Sequence, residues 1–409
     1  MTQIPAKYVW VICLLFFAIS CAGVPKVRFE SPVDTSSKAI EPQIKRTFSI
    51  PNIGVYASNE FDGARLNGFT ALNDSTAKVV IKPENTPINN SPYYAFTIWS
   101  DNKRPFYLTF EYPKGFKHRY TPKLGRSGHW QIIDSSAVFK KDSIVTIKLD
   151  LDKEPITVAA QEIQSSKDVS DWYMPFVTDI SYVQKNILGK STLGRDLVVL
   201  DINKPSSQKK ALVVLMTRQH PPEVTGFYAF QAFLETILDN SELANAFLDR
   251  YRVLAFPLMN PDGVDLGHWR HNAGGVDTNR DWSKYRQPEV RHTVDHIHSI
   301  MKNEDLELVL GLDFHSTWYD VFYTNTKREG TTMPQFVDDW FGALEKNIEG
   351  YKVNEQAGNS KKPVSKGWFL YGHNAVGITY EIGDATPKQQ IEKFGTVSSR
   401  EMMKLLINQ

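Results

Sequence analysis

The apolar run Ala211-Leu-Val-Val-Leu-Met216 leads into His220-Pro-Pro-Glu223, and the segment after it, 224–238, has helical character. This junction constrains the chain more than any other stretch. It ends a strand by presenting an imidazole and a carboxylate three residues apart, then starts a helix. The same alternation continues on either side. Strands are expected over 197–202, 211–216, 251–257, 306–313 and 377–382, with helices over 224–238, 288–303 and 334–348. Alternating β and α elements imply a three-layer α/β domain with a largely parallel or mixed sheet. Sites in such sheets collect at strand ends. His220, Asp277, His315 and Glu381 all sit at or beside expected strand ends.

The first half has a different texture. Over 46–165, short apolar and aromatic runs alternate with turn residues. Examples are Lys78-Val-Val-Ile-Lys82, Tyr93-Tyr-Ala-Phe-Thr-Ile-Trp99, Phe106-Tyr-Leu-Thr-Phe-Glu-Tyr112 and Ser143-Ile-Val-Thr-Ile-Lys-Leu149. Their spacing and β-branched content predict an antiparallel β-sandwich. The polar stretch Ser165-Ser-Lys-Asp-Val-Ser-Asp171 reads as a linker, and the α/β domain as 170–409. A length of 409 residues is enough for both domains to bury a core. A net charge of +1 and the absence of a basic tract exclude an electrostatic nucleic-acid binder.

Residues 1–21 read as a targeting segment. Lys7 precedes the apolar run Tyr8 to Ala18, which is followed by Ile19-Ser20-Cys21-Ala22-Gly23. The run is short for a membrane span. Ala18-Ile-Ser-Cys21 resembles a bacterial lipobox, in which Cys21 is lipidated and becomes the mature N-terminus; the alternative is an ordinary cleaved signal. The resemblance implies a cell-envelope protein held to a membrane through Cys21, on the periplasmic face or outer membrane of a Gram-negative cell. Residues 22–45 are polar, contain Pro25, Pro32 and Pro42, and read as a flexible tether. The only cysteines are Cys13 and Cys21, so cleavage at Cys21 leaves no intramolecular disulfide.

His220 and Glu223 supply half of a zinc site, and Leu312-Asp-Phe-His315-Ser316, after another apolar run, supplies a third ligand. Taken alone, His315 could be a core histidine or a helix cap. Between them lies Gly267-His-Trp-Arg-His-Asn-Ala-Gly-Gly-Val-Asp-Thr-Asn-Arg280. As a plain loop it would use its Gly and Asn for turns and leave Arg280 on the surface. As a site it offers Asn279 and Arg280 to a carboxylate, and Asp277 to orient a zinc-bound imidazole. Gly377-Ile-Thr-Tyr-Glu381-Ile-Gly383 places a carboxylate on an otherwise buried strand, where it needs a role or a partner.

These pieces together resemble the zinc carboxypeptidase family M14. The match is carried by His220-x-x-Glu223, Gly275-Val-Asp-Thr-Asn-Arg280, Asp313-Phe-His315 and Thr379-Tyr-Glu381, with Gly189-Lys-Ser-Thr-Leu-Gly-Arg195 resembling the opening hairpin. Within the family, His-Pro-x-Glu, Gly267-His-Trp-Arg270 and a preceding β-domain look most like the cytosolic carboxypeptidase branch and its bacterial relatives. The resemblance implies a phosphorylase/hydrolase-like α/β fold behind the sandwich. It also implies one Zn2+ on His220, Glu223 and His315, with Glu381 as general base and Arg270 polarising the scissile carbonyl. Asn279 and Arg280 would hold the C-terminal carboxylate of a peptide substrate. Where many members carry a mobile tyrosine, this chain has Asn359; Tyr351 and Tyr371 are nearby.

Two readings follow from that resemblance. The chain is expected to hydrolyse the last peptide bond of peptides with a free C-terminal carboxylate. If the register back from Glu381 through Trp368 holds, Lys366 lines the base of the side-chain pocket and favours an acidic C-terminal residue. Otherwise Lys361, Lys362 and Lys366 form a solvated basic loop. The alternatives are a zinc amidase or muropeptidase acting on cell-wall peptides, and an inactive peptide-binding lipoprotein.

Overall fold

The computed structural model describes residues 28–358 and 361–409. The expected signal segment, Cys21 and Asn359 lie outside the described residues. No described helix is long and apolar enough to cross a membrane.

Alternating burial builds the first domain. Ile144–Leu151 buries Val145, Ile147, Leu149 and Leu151 and exposes the residues between them, the period of a half-buried strand. One sheet runs Thr47–Ile50, Val55–Ser58, Ala95–Ser100, Ile156–Ala159, Lys123–Arg126 and His129–Ile132. The facing sheet runs Gly68–Asn73, Thr76–Val80, Arg104–Glu111, Ile144–Leu151 and Val138–Lys141. The expected sandwich is present, with one difference: Thr76–Val80 and Arg104–Glu111 pair in parallel. Between them the chain crosses to the other sheet to make Ala95–Ser100, and it returns in its original direction.

The stretch expected as a linker is helical. Ser165 accepts the Asp168 N–H while Asp168 reaches back to the Ser165 N–H, a capping box that opens the helix Ser166–Asp179. Burial of Val169 and Tyr173 then fixes it on the second domain. Residues 28–45, expected as a flexible tether, contain no helix or strand and yet lie against the rest of the protein. Thr35 Oγ1 donates to the Gly275 carbonyl at 2.6 Å, and Asp34 pairs with Arg286 at 3.1 Å.

The second domain is an eight-stranded mixed sheet between helices. Its parallel centre is Tyr251–Phe256, Ala211–Thr217, Leu308–Thr317 and Val376–Gly383. Val213 and Leu215 face one apolar layer, with the helices Val224–Ile237 and Lys388–Ile407; Leu212, Val214 and Met216 face the other, with Pro288–Glu304 and Ser365–His373. Both faces are covered, which is why these strands read as continuous apolar runs. The functional side chains cluster at the C-terminal ends of the parallel strands. Arg270, Asp277, Asn279 and Arg280 lie instead in the segment after Tyr251–Phe256, where Asp277 caps the short 3-10 turn Thr278–Arg280, and Lys366 lies in the helix Ser365–His373.

Candidate metal centre and active site

The chain leaves Ala211–Thr217 through Arg218, whose backbone takes φ 58°, an uncommon conformation for a non-glycine residue. The buried Arg218 guanidinium holds that bend by donating to the Gln164 carbonyl at 3.1 Å and the Pro221 carbonyl at 2.8 Å. His220 and Glu223 then stand at the start of Val224–Ile237. That helix comes so close to His315 that a side chain at Gly226 would run into the His315 carbonyl. His315 and Glu381 are direct partners on neighbouring parallel strands. Register and close packing thus bring four distant residues to one point.

His220, Glu223 and His315 are buried, and one potential ligand atom from each lies within 4.8 Å of the others. His220 Nδ1 is 2.8 Å from Glu223 Oε1, His315 Nδ1 is 2.6 Å from Glu223 Oε2, and the two Nδ1 atoms are 3.1 Å apart. The opposite ring nitrogens have their own acceptors: His220 Nε2 meets Asp277 Oδ1 at 3.0 Å and His315 Nε2 meets Asp313 Oδ2 at 2.9 Å. When both rings are neutral and each Nε2–H is donated outward, both Nδ1 lone pairs point at the same spot. Two such lone pairs facing each other at contact distance repel, and a cation between them removes the repulsion. Two imidazoles and a carboxylate are also a donor set that zinc prefers. The residues therefore fit a zinc ion.

Charge in this cluster is set by burial and by neighbours. Burial opposes ionisation of Glu223, but the His220 and His315 imidazoles hold its carboxyl well below the usual range. Asp277 is likewise held low against its burial, first by Arg270 and then by His220. Glu381 behaves oppositely. Burial, reinforced by the Glu223 charge, pushes its carboxyl up to about 8. Its Oε2 is buried and accepts no hydrogen bond. An unsatisfied buried carboxylate oxygen carries a free-energy cost that a structural role does not explain.

Glu381 opens into a cavity of about 600 Å3 that is also lined by Arg270, Asn279, Arg280 and Lys366. Arg270 Nε is held by Asp277 Oδ2 at 2.7 Å, and Arg280 Nη1 donates to the Asn279 carbonyl at 2.7 Å. Asn279 Oδ1 accepts the Ser365 N–H at 3.0 Å. Its Nδ2 lies 3.3 Å from His315 Nε2. Lys366 is buried in the helix Ser365–His373, so the solvated basic loop expected as its alternative does not form at this residue.

Several contributors were not legible beforehand. Asp313 was quoted only within a motif, yet it orients His315 and also accepts from Gln219 at 2.6 Å. Tyr351 packs on Phe394 and Tyr371 on Phe29, and the tyrosine lining the cavity is instead Tyr323. The sandwich, to which the sequence assigned no chemistry, reaches the site through several residues, Asn89, Asn90 and Ser91 of the cavity lining among them. Glu84 accepts the backbone N–H groups of Trp269 at 2.8 Å, Arg270 at 3.0 Å and His271 at 2.6 Å. Arg119 pairs with Asp384 at 2.7 Å and lines the cavity. Such long-range contacts have no local sequence signal.

Comparison with known proteins matches this arrangement to a family. The zinc carboxypeptidase family profile matches residues 178–398. The chain belongs to the zinc carboxypeptidase family. Among curated relatives, cytosolic carboxypeptidase 3 of Bos taurus is 32% identical over 139 residues, covering 32% of this chain and 14% of that protein. Cytosolic carboxypeptidase 2 of Homo sapiens is 34% identical over 136 residues, covering 31% and 15% respectively. The match thus spans about one-seventh of these relatives' length. Two solved structures share the fold over most of the chain. A putative carboxypeptidase A from Shewanella denitrificans OS-217 has a TM-score of 0.71 at 21% identity, covering 86% of this chain and 98% of its own. A metallo-carboxypeptidase from Pseudomonas aeruginosa, solved with (2-guanidinoethylmercapto)succinic acid, gives 0.69 at 17%, covering 86% and 98%. Membership of that family implies zinc as the metal of the His220–Glu223–His315 cluster.

Proposed function

We propose that this zinc carboxypeptidase family member removes the C-terminal residue from peptides, with a preference for an acidic one. The observation that carries the reading is the orphaned Glu381 Oε2 facing a single cavity with the His220–Glu223–His315 cluster at one part and Asn279 and Arg280 at another. His220, Glu223 and His315 would hold the zinc ion, which would supply Lewis acidity and lower the pKa of water. Glu381 takes a proton from the attacking water at Oε2 and returns it to the departing amine nitrogen. Arg270, oriented by Asp277, faces the carbonyl oxygen as charge builds on it. Arg280 and the Asn279 amide hold the terminal carboxylate, and a chain without that carboxylate leaves them unpaired.

Lys366 supports the acidic preference. Its ammonium donates to the Thr324 carbonyl at 2.9 Å and to the Gly358 carbonyl, and among the described residues it has no carboxylate partner. An ammonium has three donors, so one remains for a substrate carboxylate. The lipid anchor at Cys21 is a further part of the proposal, supported by the lipobox-like sequence alone. Lipid labelling of wild type against Cys21→Ser tests it.

The functional test is a C-terminal release screen on a peptide library with and without chelator. Chelator-sensitive release of single residues, Glu and Asp foremost, is expected. Chelator-insensitive release would refute the zinc mechanism, and release with no acidic preference would remove Lys366 from it.

A further inference from the structure

A second chamber, of about 400 Å3, lies between the sandwich and the α/β domain. Arg119 and Trp318 line both this chamber and the central cavity, so the two adjoin at this pair of side chains, the Arg119 guanidinium lying over the Trp318 ring at 5.2 Å. Asn279, Arg280 and Lys366 line only the central one of these two. A third chamber of about 320 Å3, beneath residues 30–35, shares Arg270 and Arg280 with the central cavity and so adjoins its carboxylate-binding end. The second chamber adjoins it instead at the Arg119–Trp318 pair.

The polar groups around the second chamber are already engaged with one another. Arg119 pairs with Asp384 at 2.7 Å and Lys388 with Glu162 at 3.2 Å. The Tyr228 hydroxyl donates to Glu162 at 2.6 Å, and Lys123 donates to Gln161 Oε1 at 2.6 Å. Beside exposed Thr121 and Gln131, two large apolar side chains remain uncovered. Ile132, on the sandwich strand His129–Ile132, is 60% exposed, and Trp318 is 56% exposed across from it. Large apolar side chains left in water beside a cleft are a binding surface rather than a core.

We propose that this chamber binds the part of a peptide that precedes the scissile bond and selects an apolar or aromatic side chain there. The proposal rests on the carboxypeptidase reading for its orientation: with the terminal carboxylate fixed at Arg280, the upstream chain runs over the Arg119–Trp318 pair toward the second chamber. An apolar side chain entering there covers Ile132 and the indole of Trp318 without breaking any of the ion pairs. A charged one would lose its hydration and find those pairs already made. The sandwich thereby becomes part of substrate selection.

The test uses the zinc-loaded protein and three substrates with the same last two residues: an N-acylated dipeptide, a pentapeptide with Phe third from the C-terminus, and the same pentapeptide with Gly there. In wild type, kcat/KM for the Phe peptide should exceed that for the Gly peptide about tenfold. Ile132→Asp should cut the ratio below about twofold, leave the dipeptide unchanged, and Ile132→Leu should restore it. Ile132 lines only the second chamber and is largely exposed, so these variants do not touch the catalytic residues. Dipeptide cleavage with equal rates on the Phe and Gly peptides, or a ratio that survives Ile132→Asp, overturns the proposal. If no substrate releases an amino acid, the carboxypeptidase reading fails. Calorimetry of the same pentapeptides then decides on the chamber: Phe-selective binding lost in Ile132→Asp upholds it, and equal Kd values overturn it.

Discussion

The Glu84 carboxylate of the sandwich accepts the backbone N–H of Arg270 at 3.0 Å, so one domain sets the position of an arginine that lines the other domain's cavity. The same carboxylate takes the N–H groups on either side, those of Trp269 and His271. Burial works against its charge, and His268 and then Arg65 more than compensate, holding it below its ordinary range. Hydrogen bonds to a charged group contribute about 1.5–3 kcal/mol each. If their role is to place Arg270, Glu84→Gln should lower kcat/KM on a good peptide about 10- to 100-fold while zinc stoichiometry stays unchanged. In an Arg270→Ala background the same substitution should cost less than about twofold. Independent, multiplicative losses in the double variant would show that Glu84 does not act through Arg270.

Asp277 and Asp313 each accept from the far nitrogen of an imidazole whose near nitrogen faces the metal position. Partners of this kind typically affect metal affinity 10- to 100-fold. Asp277→Asn should therefore weaken zinc binding by about that factor in a chelator competition. His315→Ala should abolish stoichiometric zinc. Wild-type affinity in Asp277→Asn would mean that His220 is oriented by something else.

Both outcomes bear on what the sequence could reveal. His220, Glu223, His315 and Glu381 were legible because each follows or ends an apolar run, and strand ends are where such sheets gather their sites. Arg280 and Asn279 were legible from their motif. Asp277 was found for its chemistry but misplaced, since its loop reaches the site without being a strand end. The helix Ser166–Asp179 reads as a linker in sequence because the polar residues of its first turn are also its capping box. Glu84 and Arg119 had no local signal at all. They act across the domain boundary on partners far along the chain, and only the docked domains bring them there.

Lys366 gives a pH-dependent expectation. Burial lowers its ammonium to about 8, with no neighbouring carboxylate to restore it. The charged form that attracts an acidic side chain is therefore present below pH 8 and is lost as pH rises through that value. The ratio of kcat/KM for C-terminal Glu over Gln should fall about tenfold by one unit above this pKa, as the protonated fraction does. Lys366→Met should have a low, pH-independent ratio, and Lys366→Asp should turn preference toward basic residues. A wild-type ratio that stays flat from pH 6.5 to 9.5 would assign the preference elsewhere.

Trp269 belongs to the α/β half by sequence and to the sandwich core by packing. It is fully buried and meets Phe116 edge-on at 5.2 Å between ring centres. Removing a buried tryptophan costs about 3–5 kcal/mol. Trp269→Ala should lower the thermal midpoint of the protein and its activity together, because the loop that carries Arg270 loses its anchor. A lowered midpoint with full activity in the remaining folded protein would separate the anchor from the site.

The central claim is that Glu381 moves the proton in a zinc-dependent cleavage of the terminal peptide bond. It is tested most directly by mass spectrometry of one peptide ending in Glu and its C-terminally amidated twin, incubated with zinc-loaded wild type or Glu381→Gln. The account predicts loss of a single residue from the free peptide by wild type and none from the amide. It predicts a rate about 10²- to 10⁴-fold lower with Glu381→Gln, at unchanged zinc content. Cleavage by the variant at the wild-type rate, or equal cleavage of the amide, would contradict it.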